Sequence, residues 1–252
     1  MFNAPIMRVG NVSRQKRGKK RVSGARIPVY TTTFNEWYQG RRSKEKTELL
    51  QQKAALKGKA KRKALRLDKQ AHDRFAFNIG INSILEVGKG SDGKPTHIVI
   101  TKRPALVPEA PGFWDLPAGL IRAGQKPMEV INARSAAEVG IDKSKLRLIG
   151  KGLKPAKKET WFALHRIDSA TNYNAFVVQR ADIPAEEAAK AIQARIESAQ
   201  ARKDPWAPVS FSLIPRTPEA IREFIRTHDK TWVPEALRLY SFELTRAKAK
   251  KK

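Results

Sequence analysis

The chain has 252 residues and a formal charge of +27, from 51 Lys and Arg against 24 Asp and Glu. Having no cysteine, it can form no disulfide, thiolate metal site or cysteine nucleophile. Its four scattered histidines (His72, His97, His165, His228) make no zinc set, and no apolar run approaches the ~18 residues of a membrane span. Charge this far beyond the needs of solubility points to a polyanionic partner, of which nucleic acid is the commonest.

Residues 1–33 carry Arg8, Arg14, Lys16, Arg17, Lys19, Lys20, Arg21 and Arg26, and no acidic residue precedes Glu36. Glycine and serine interrupt the cations and hydrophobic periodicity is absent, so a basic extended arm without regular structure is expected until it meets an anion. Residues 34–74 read as a helical segment. Leu49, Leu50, Leu56, Leu65 and Leu67 give it only a ragged apolar stripe, and Arg41, Arg42, Lys59, Lys61, Arg62, Lys63 and Arg66 surround it. Such a helix repels itself in isolation; it is expected along a phosphate backbone or as a thin seam on a partner, the other reading being a solvated linker.

The globular part is expected over residues 75–244. Apolar runs at 75–87 and 96–104 read as strands joined by the turn-rich GKGSDGKP, and 145–153, 160–167 and 174–181 as further strands. Ala188, Ala191, Ile192, Ile196 and Ala199 fall at helical spacing within 184–203. A late strand at 209–215 precedes a helix that Thr217-Pro218 can open, and 233–244 reads as one more helix. A basic tail, 245–252, holds Lys248, Lys250 and Lys251. The charge is thus unevenly placed. Residues 1–74 hold 21 Lys and Arg against five Asp and Glu, and 246–252 hold five more cations, leaving a net of only +6 for residues 75–245.

The stretch between the second and third of these strands is the most informative. Leu116-Pro117-Ala118-Gly119 makes a tight turn, Ala123-Gly124 a second, and Pro127 can start a helix at its first position. That helix is expected to run to about Val139 and to stop at Gly140, which suits the left-handed conformation of a helix end. The layout resembles the Nudix signature: Gly, five residues, Glu, seven residues, Arg-Glu, an aliphatic, any residue, Glu-Glu, any residue, Gly, an aliphatic. The span fits from Gly119 to Ile141 without a gap. Gly119, Glu138, Gly140 and Ile141 match, while Gln125, Ala133, Arg134, Ser135 and Ala137 stand where the pattern has Glu, Arg, Glu, an aliphatic and Glu.

In that family three carboxylates on one helix face hold divalent metal against a diphosphate. Here the face reads Arg134, Ala137, Glu138, and Arg134 can pair with Glu138 at i,i+4. The resemblance therefore implies a Nudix-like α/β/α sandwich with a mixed sheet whose metal site is lost: no enzyme, no metal and no cofactor. Glu129 is read as a first-turn acid that favours the helix dipole, and Phe113 and Trp114 as core. Lys102 and Arg103 at a strand end are either phosphate contacts or a solvated end.

The leading expectation is a structural, rRNA-contacting component of a ribonucleoprotein, with neighbouring proteins as further partners and no membrane. The basic residues named above from Arg14 to Arg21, from Arg41 to Arg66 and from Lys248 to Lys251 would be its RNA contacts. A protein of the mitochondrial ribosomal large subunit has a Nudix-like fold, and the acid-poor N-terminus suits a mitochondrial targeting peptide. The mitochondrion is accordingly the expected compartment, with nucleus or cytoplasm as the alternative. Two other readings stand beside it. One is an RNA-binding Nudix module in RNA processing, similar to the Nudix-fold subunit of the mRNA cleavage factor; the other is an active hydrolase of a nucleoside diphosphate or RNA cap.

Overall fold

The computed structural model describes residues 78–105, 111–122, 124–150, 172–205, 207–228 and 235–249, the helical residues Glu48 and Leu67, and the backbone of strands at 5–9, 13–17, 20–26, 29–33 and 163–167. Two units divide the chain. One comprises Met1–Gly80, Leu120–Lys126 and Leu164–Asn174; the other comprises Ile81–Gly119, Pro127–Ala163 and Ala175–Lys252.

In the first unit the backbone forms strands where no regular structure was expected. Strand β1 (Pro5–Val9) pairs antiparallel with β4 (Val29–Thr33), Met7 opposite Thr31, and β2 (Ser13–Arg17) pairs with β3 (Lys20–Arg26). The physical reason is legible afterwards: VYTTT is β-branched and aromatic, a composition that fits a pleated ladder whatever the neighbouring charge. Arg8 of β1 also pairs with Asn78, the first residue of β5 (Asn78–Val87). The expected helix over 34–74 lies outside the described residues, apart from the helical Glu48 and Leu67.

The second unit is built around β6 (His97–Lys102). It pairs with β5 through Leu85↔Val99, with β7 (Trp114–Asp115) through Thr101↔Asp115, and with β12 (Ser210–Pro215) through Ile100↔Ser212. The short β8 (Ala118–Leu120) pairs with β5. Helix α1 (Pro127–Val139), a 3-10 turn at Lys143–Lys145 and β9 (Leu146–Ile149) follow. Strand β11 (Asn172–Ala181), preceded in the chain by β10 (Ala163–Ile167), which from Leu164 on belongs to the first unit, pairs with β9 through Val178↔Ile149. Helices α2 (Ala185–Ala201), α3 (Pro218–Thr227) and α4 (Glu235–Ala249) complete it.

Strand periodicity sorts the apolar residues into two cores. Ile98 and Ile100 join Ile84, Leu116, Phe176, Val178 and Ile214 on the face covered by α3 and α4, where Ile221, Ile225, Leu237, Tyr240 and Leu244 meet them. Val99, one residue out of phase, joins Leu85 and Val87 on the face covered by α1 and α2, against Val139, Ala188, Ile192 and Ile196. Both faces of the sheet are therefore buried under helices, the α/β/α arrangement expected.

The helix ends follow their sequence signals. Thr217 caps α3 by accepting from the Ala220 N–H at 3.1 Å, with Pro218 in the first turn. Helix α1 ends at Gly140, whose φ of +70° only glycine adopts without cost. There is a second reason for glycine here. A Cβ on Gly140 would lie 2.7 Å from the Ala191 carbonyl oxygen and 2.9 Å from the Arg195 Cβ of α2. With no basic residue in its own last turn, α1 takes its C-terminal counter-charge from that neighbour: Arg195 Nε donates to the Ala137 carbonyl.

Candidate functional site

The candidate site forms where β7 and β8 meet α1. Gly119 is the contact point, for a Cβ there would fall 2.7 Å from Arg134 Cγ and 3.0 Å from Val130 Cγ1. Lacking one, the strand lies close on the helix, and the Ala118 N–H reaches the Glu138 carboxylate. Glycine at the head of the signature and glutamate near its end are thus parts of one contact.

Asp115, buried, is the second acid. Its Oδ2 accepts from Arg103 Nη1 at 2.7 Å and its Oδ1 from the Leu116 N–H at 2.7 Å. Burial raises its pKa above the ordinary carboxylate range, and the Arg103 charge pulls the other way. Glu138 is raised as well. The residue keeps part of its surface, but its carboxyl is enclosed; burial first, and the Asp115 charge second, push it up to about 8. The Ala118 N–H and the charges of Arg134 and Arg103 oppose this without cancelling it. The site is a pair of carboxylates set between two guanidiniums, with one acid holding its proton near neutrality.

This protonation has a measurable consequence. Unfolded, Glu138 titrates in the ordinary carboxylate range, so from there to about pH 8 the folded chain holds the extra proton. Stability should fall as pH rises through that window and level above it. Glu138→Gln keeps the acceptor for Ala118 and has no proton to lose. The variant is expected to match the wild type near the acid end and exceed it above about pH 8, as read by urea midpoints across the range. Parallel curves for the two proteins would contradict this.

The ion pair expected between Arg134 and Glu138 is replaced by another arrangement. Among the described residues no such bridge forms, because Glu138 turns toward Ala118 while the Arg134 stem covers Gly119. Arg103, read as a strand-end cation, is instead committed to Asp115. Gln125 is exposed and stabilises its own loop: its Oε1 accepts from the Arg122 N–H at 3.1 Å, beside Gly124 at φ +82°. Ala137 is exposed and offers only its carbonyl, to Arg195. Ser135, fully buried, donates to Gln179 Oε1 at 2.7 Å, and Gln179 Nε2 donates to Asn132 at 2.6 Å, a polar chain joining α1 to β11. No group of three or more metal-ligating side chains comes together among the described residues.

Trp114 points away from the two acids. Strand alternation sends it with Leu116 to the α3 face, where its ring meets Phe224 edge-on at 5.8 Å and His228 at 5.6 Å, with Lys102 Nζ 5.9 Å above it. It is half-buried against the core, as expected. The side chains of Arg14, Lys16, Arg17, Lys19, Lys20, Arg21, Arg41, Arg42, Lys59, Lys61, Arg62, Lys63, Arg66, Lys248, Lys250 and Lys251 lie outside the described residues. Sequence reasoning missed Asp115, four residues ahead of the matched span; its place opposite Thr101 was the signal that a strand pairing would have supplied.

Among the described residues no helix is long and apolar enough to cross a membrane. No family model matches the chain, and no curated protein does. Among solved structures it is similar to a mutT/nudix family protein from Listeria innocua at 18% identity, over 67% of this chain and 94% of that one, with a TM-score of 0.42. It is also similar to a C. elegans Ap4A hydrolase in a binary complex (13%, 68% and 98%, TM-score 0.41) and to a MutT protein from Methanosarcina mazei Go1 (11%, 70% and 96%, TM-score 0.39). At this level the similarity is one of backbone arrangement alone.

Proposed function

We propose that the protein is a structural, RNA-contacting component of a ribonucleoprotein, with the α/β domain as its body and the basic segments as its anchors. The observation that carries this reading is where the charge lies: of a net +27, all but +6 belongs to residues 1–74 and 246–252. A domain of ordinary charge flanked by cationic segments suits a molecule threaded into a polyanion. A mitochondrial ribosome is the assembly this reading favours, on the acid-poor N-terminus and the resemblance of the signature stretch.

The chemistry of the α1 face supports a role without hydrolysis. A divalent cation needs several ionised oxygens. The face presents Arg134, Ala137 and a Glu138 whose carboxyl keeps its proton near neutrality, and Asp115 already has Arg103. These residues do not fit a metal ion, and the reading routes no step through one.

The test uses the full chain and single-stranded RNA at a series of salt concentrations. Changing Arg14, Lys16, Arg17, Lys19, Lys20 and Arg21 to Gln should flatten the slope of log affinity against log salt by ~0.7 for each phosphate no longer neutralised. An unchanged slope would remove the N-terminal segment from the interface. Magnesium-dependent release of phosphate or nucleotide, abolished by Glu138→Gln, would overturn the non-enzymatic reading.

A further inference from the structure

A second charged cluster lies on the opposite face of the sheet from Asp115 and Glu138. Glu86 of β5 is fully enclosed, its side chain 0% exposed, and three side chains from distant parts of the chain converge on it. Its Oε2 accepts from Arg180 Nε at 2.8 Å and Nη2 at 2.6 Å; its Oε1 accepts from Arg216 Nε at 2.6 Å and from the Tyr240 hydroxyl. Arg216 Nε also lies 2.9 Å from Tyr240 Oη, with the guanidinium carbon 5.9 Å from the Tyr240 ring centre. One carboxylate therefore faces two guanidiniums.

Both oxygens of Glu86 are spent on holding the arginines, and the surplus positive charge is left over. Arg216 is fixed by its Nε edge. Its two terminal nitrogens make no hydrogen bond among the described residues, nor are they sealed away, since the side chain keeps 12% of its surface. Arg147, opposite Arg180 in the β9–β11 register, adds a third guanidinium, ion-paired to Asp182 at 2.6 Å. Among the described residues, three arginines against two carboxylates leave the cluster one charge positive.

We infer that this cluster is an anion subsite for a phosphate group, received by the outward edge of Arg216 and backed by Arg180. A guanidinium held rigid with its terminal N–H groups unengaged is a planar fork already in position for two oxyanion oxygens, which costs little further ordering on binding. The incoming charge also neutralises a surplus that is expensive at a half-desolvated position. Phosphate can come from an RNA backbone or from a free phosphate or nucleotide, and the same fork serves both. The subsite does not depend on the basic ends of the chain.

The experiment is arginine-selective modification of the full chain with phenylglyoxal, mapped by peptide mass spectrometry. Three conditions of equal ionic strength are compared: sodium chloride, inorganic phosphate, and an oligouridylate without terminal phosphate. A site that must be vacant to react should slow about tenfold at nine times the Kd of the anion. Slower modification of Arg216 in inorganic phosphate assigns a free phosphate; slowing only with the oligouridylate assigns the backbone of a nucleic acid. Equal rates in all three conditions, or an Arg216 unreactive even in chloride, would overturn the proposal and leave the cluster a clamp between elements. Arg14, Arg17 and Arg21 are read in the same map, so failure of the N-terminal segment to bind RNA is told apart from failure of the subsite. In Arg216→Lys, which keeps the charge and loses the fork, the protection of Arg180 should disappear. The wild-type comparison stands without this variant.

Discussion

Replacing Glu86 with alanine is expected to lower the unfolding free energy by about 3–5 kcal/mol, the largest loss from any single polar residue in the described part of the chain. The reason is arithmetic of charge in a poor solvent. Glu86 is enclosed, and its removal strands two guanidiniums, each 12% exposed, together with the Tyr240 hydroxyl. Removing either arginine alone is a different event: the carboxylate keeps one cation and the cluster becomes neutral. Arg180→Met and Arg216→Met should therefore each cost less than Glu86→Ala, although each deletes a larger side chain. Urea unfolding at constant slope measures all three, and an Arg216→Met variant less stable than Glu86→Ala would refute the ordering. Burial also drives the Tyr240 hydroxyl well above its usual range, so it stays a donor to Glu86 at any pH the fold tolerates.

Gly140→Ala is expected to cost about 2–5 kcal/mol, and two terms can be separated. The left-handed backbone at φ +70° costs a residue with a Cβ roughly 1–2 kcal/mol. The remainder is overpacking, ordinarily about 1–3 kcal/mol. The added carbon would meet a backbone oxygen of α2 at 2.7 Å and a Cβ at 2.9 Å, neither of which can swing aside. Gly124 supplies the control, having φ +82° and nothing within 4 Å of where a Cβ would lie. Gly124→Ala should show the backbone term alone. Equal losses at the two glycines, by thermal or urea unfolding, would mean that α1 and α2 part without resistance.

The sequence and the structure agree where a pattern is local. Thr217-Pro218 opened a helix, Gly140 closed one, and the spacing of Ala188, Ile192, Ile196 and Ala199 named the buried stripe of α2. The alternation in β6 was visible as an apolar run, though not which face each residue would take. What escaped was of two kinds. Strands β7 and β8 have two and three residues with Pro117 between them, too short for any period to register. The charged clusters are assembled across the chain: Glu86 lies 94 residues from Arg180, 130 from Arg216 and 154 from Tyr240, and Asp115 is twelve from Arg103. No spacing rule spans such intervals. Charge itself misled at the N-terminus, where the cations of residues 1–33 hid a strand-forming VYTTT. Within the candidate site, Glu138 and Gly119 were legible from the signature, whereas the partners that set their chemistry were not.

The Ser135–Gln179–Asn132 chain bears on how freely α1 can be rewritten. Carboxylates at positions 134 and 137 would give the helix the acidic lettering of the signature, yet Ser135 would still stand where the signature wants an aliphatic. Substituting that aliphatic alone inserts bulk at a fully buried point and orphans Gln179 Oε1, at about 1–3 kcal/mol for the missing partner before any steric term. Changing Gln179 first strands Ser135 and Asn132 instead. Each single change within this chain passes through a less stable protein, so an aliphatic at position 135 requires residues of α1 and β11 to change together. The polar chain is a latch: it holds the helix to the sheet and lets neither side be rewritten alone.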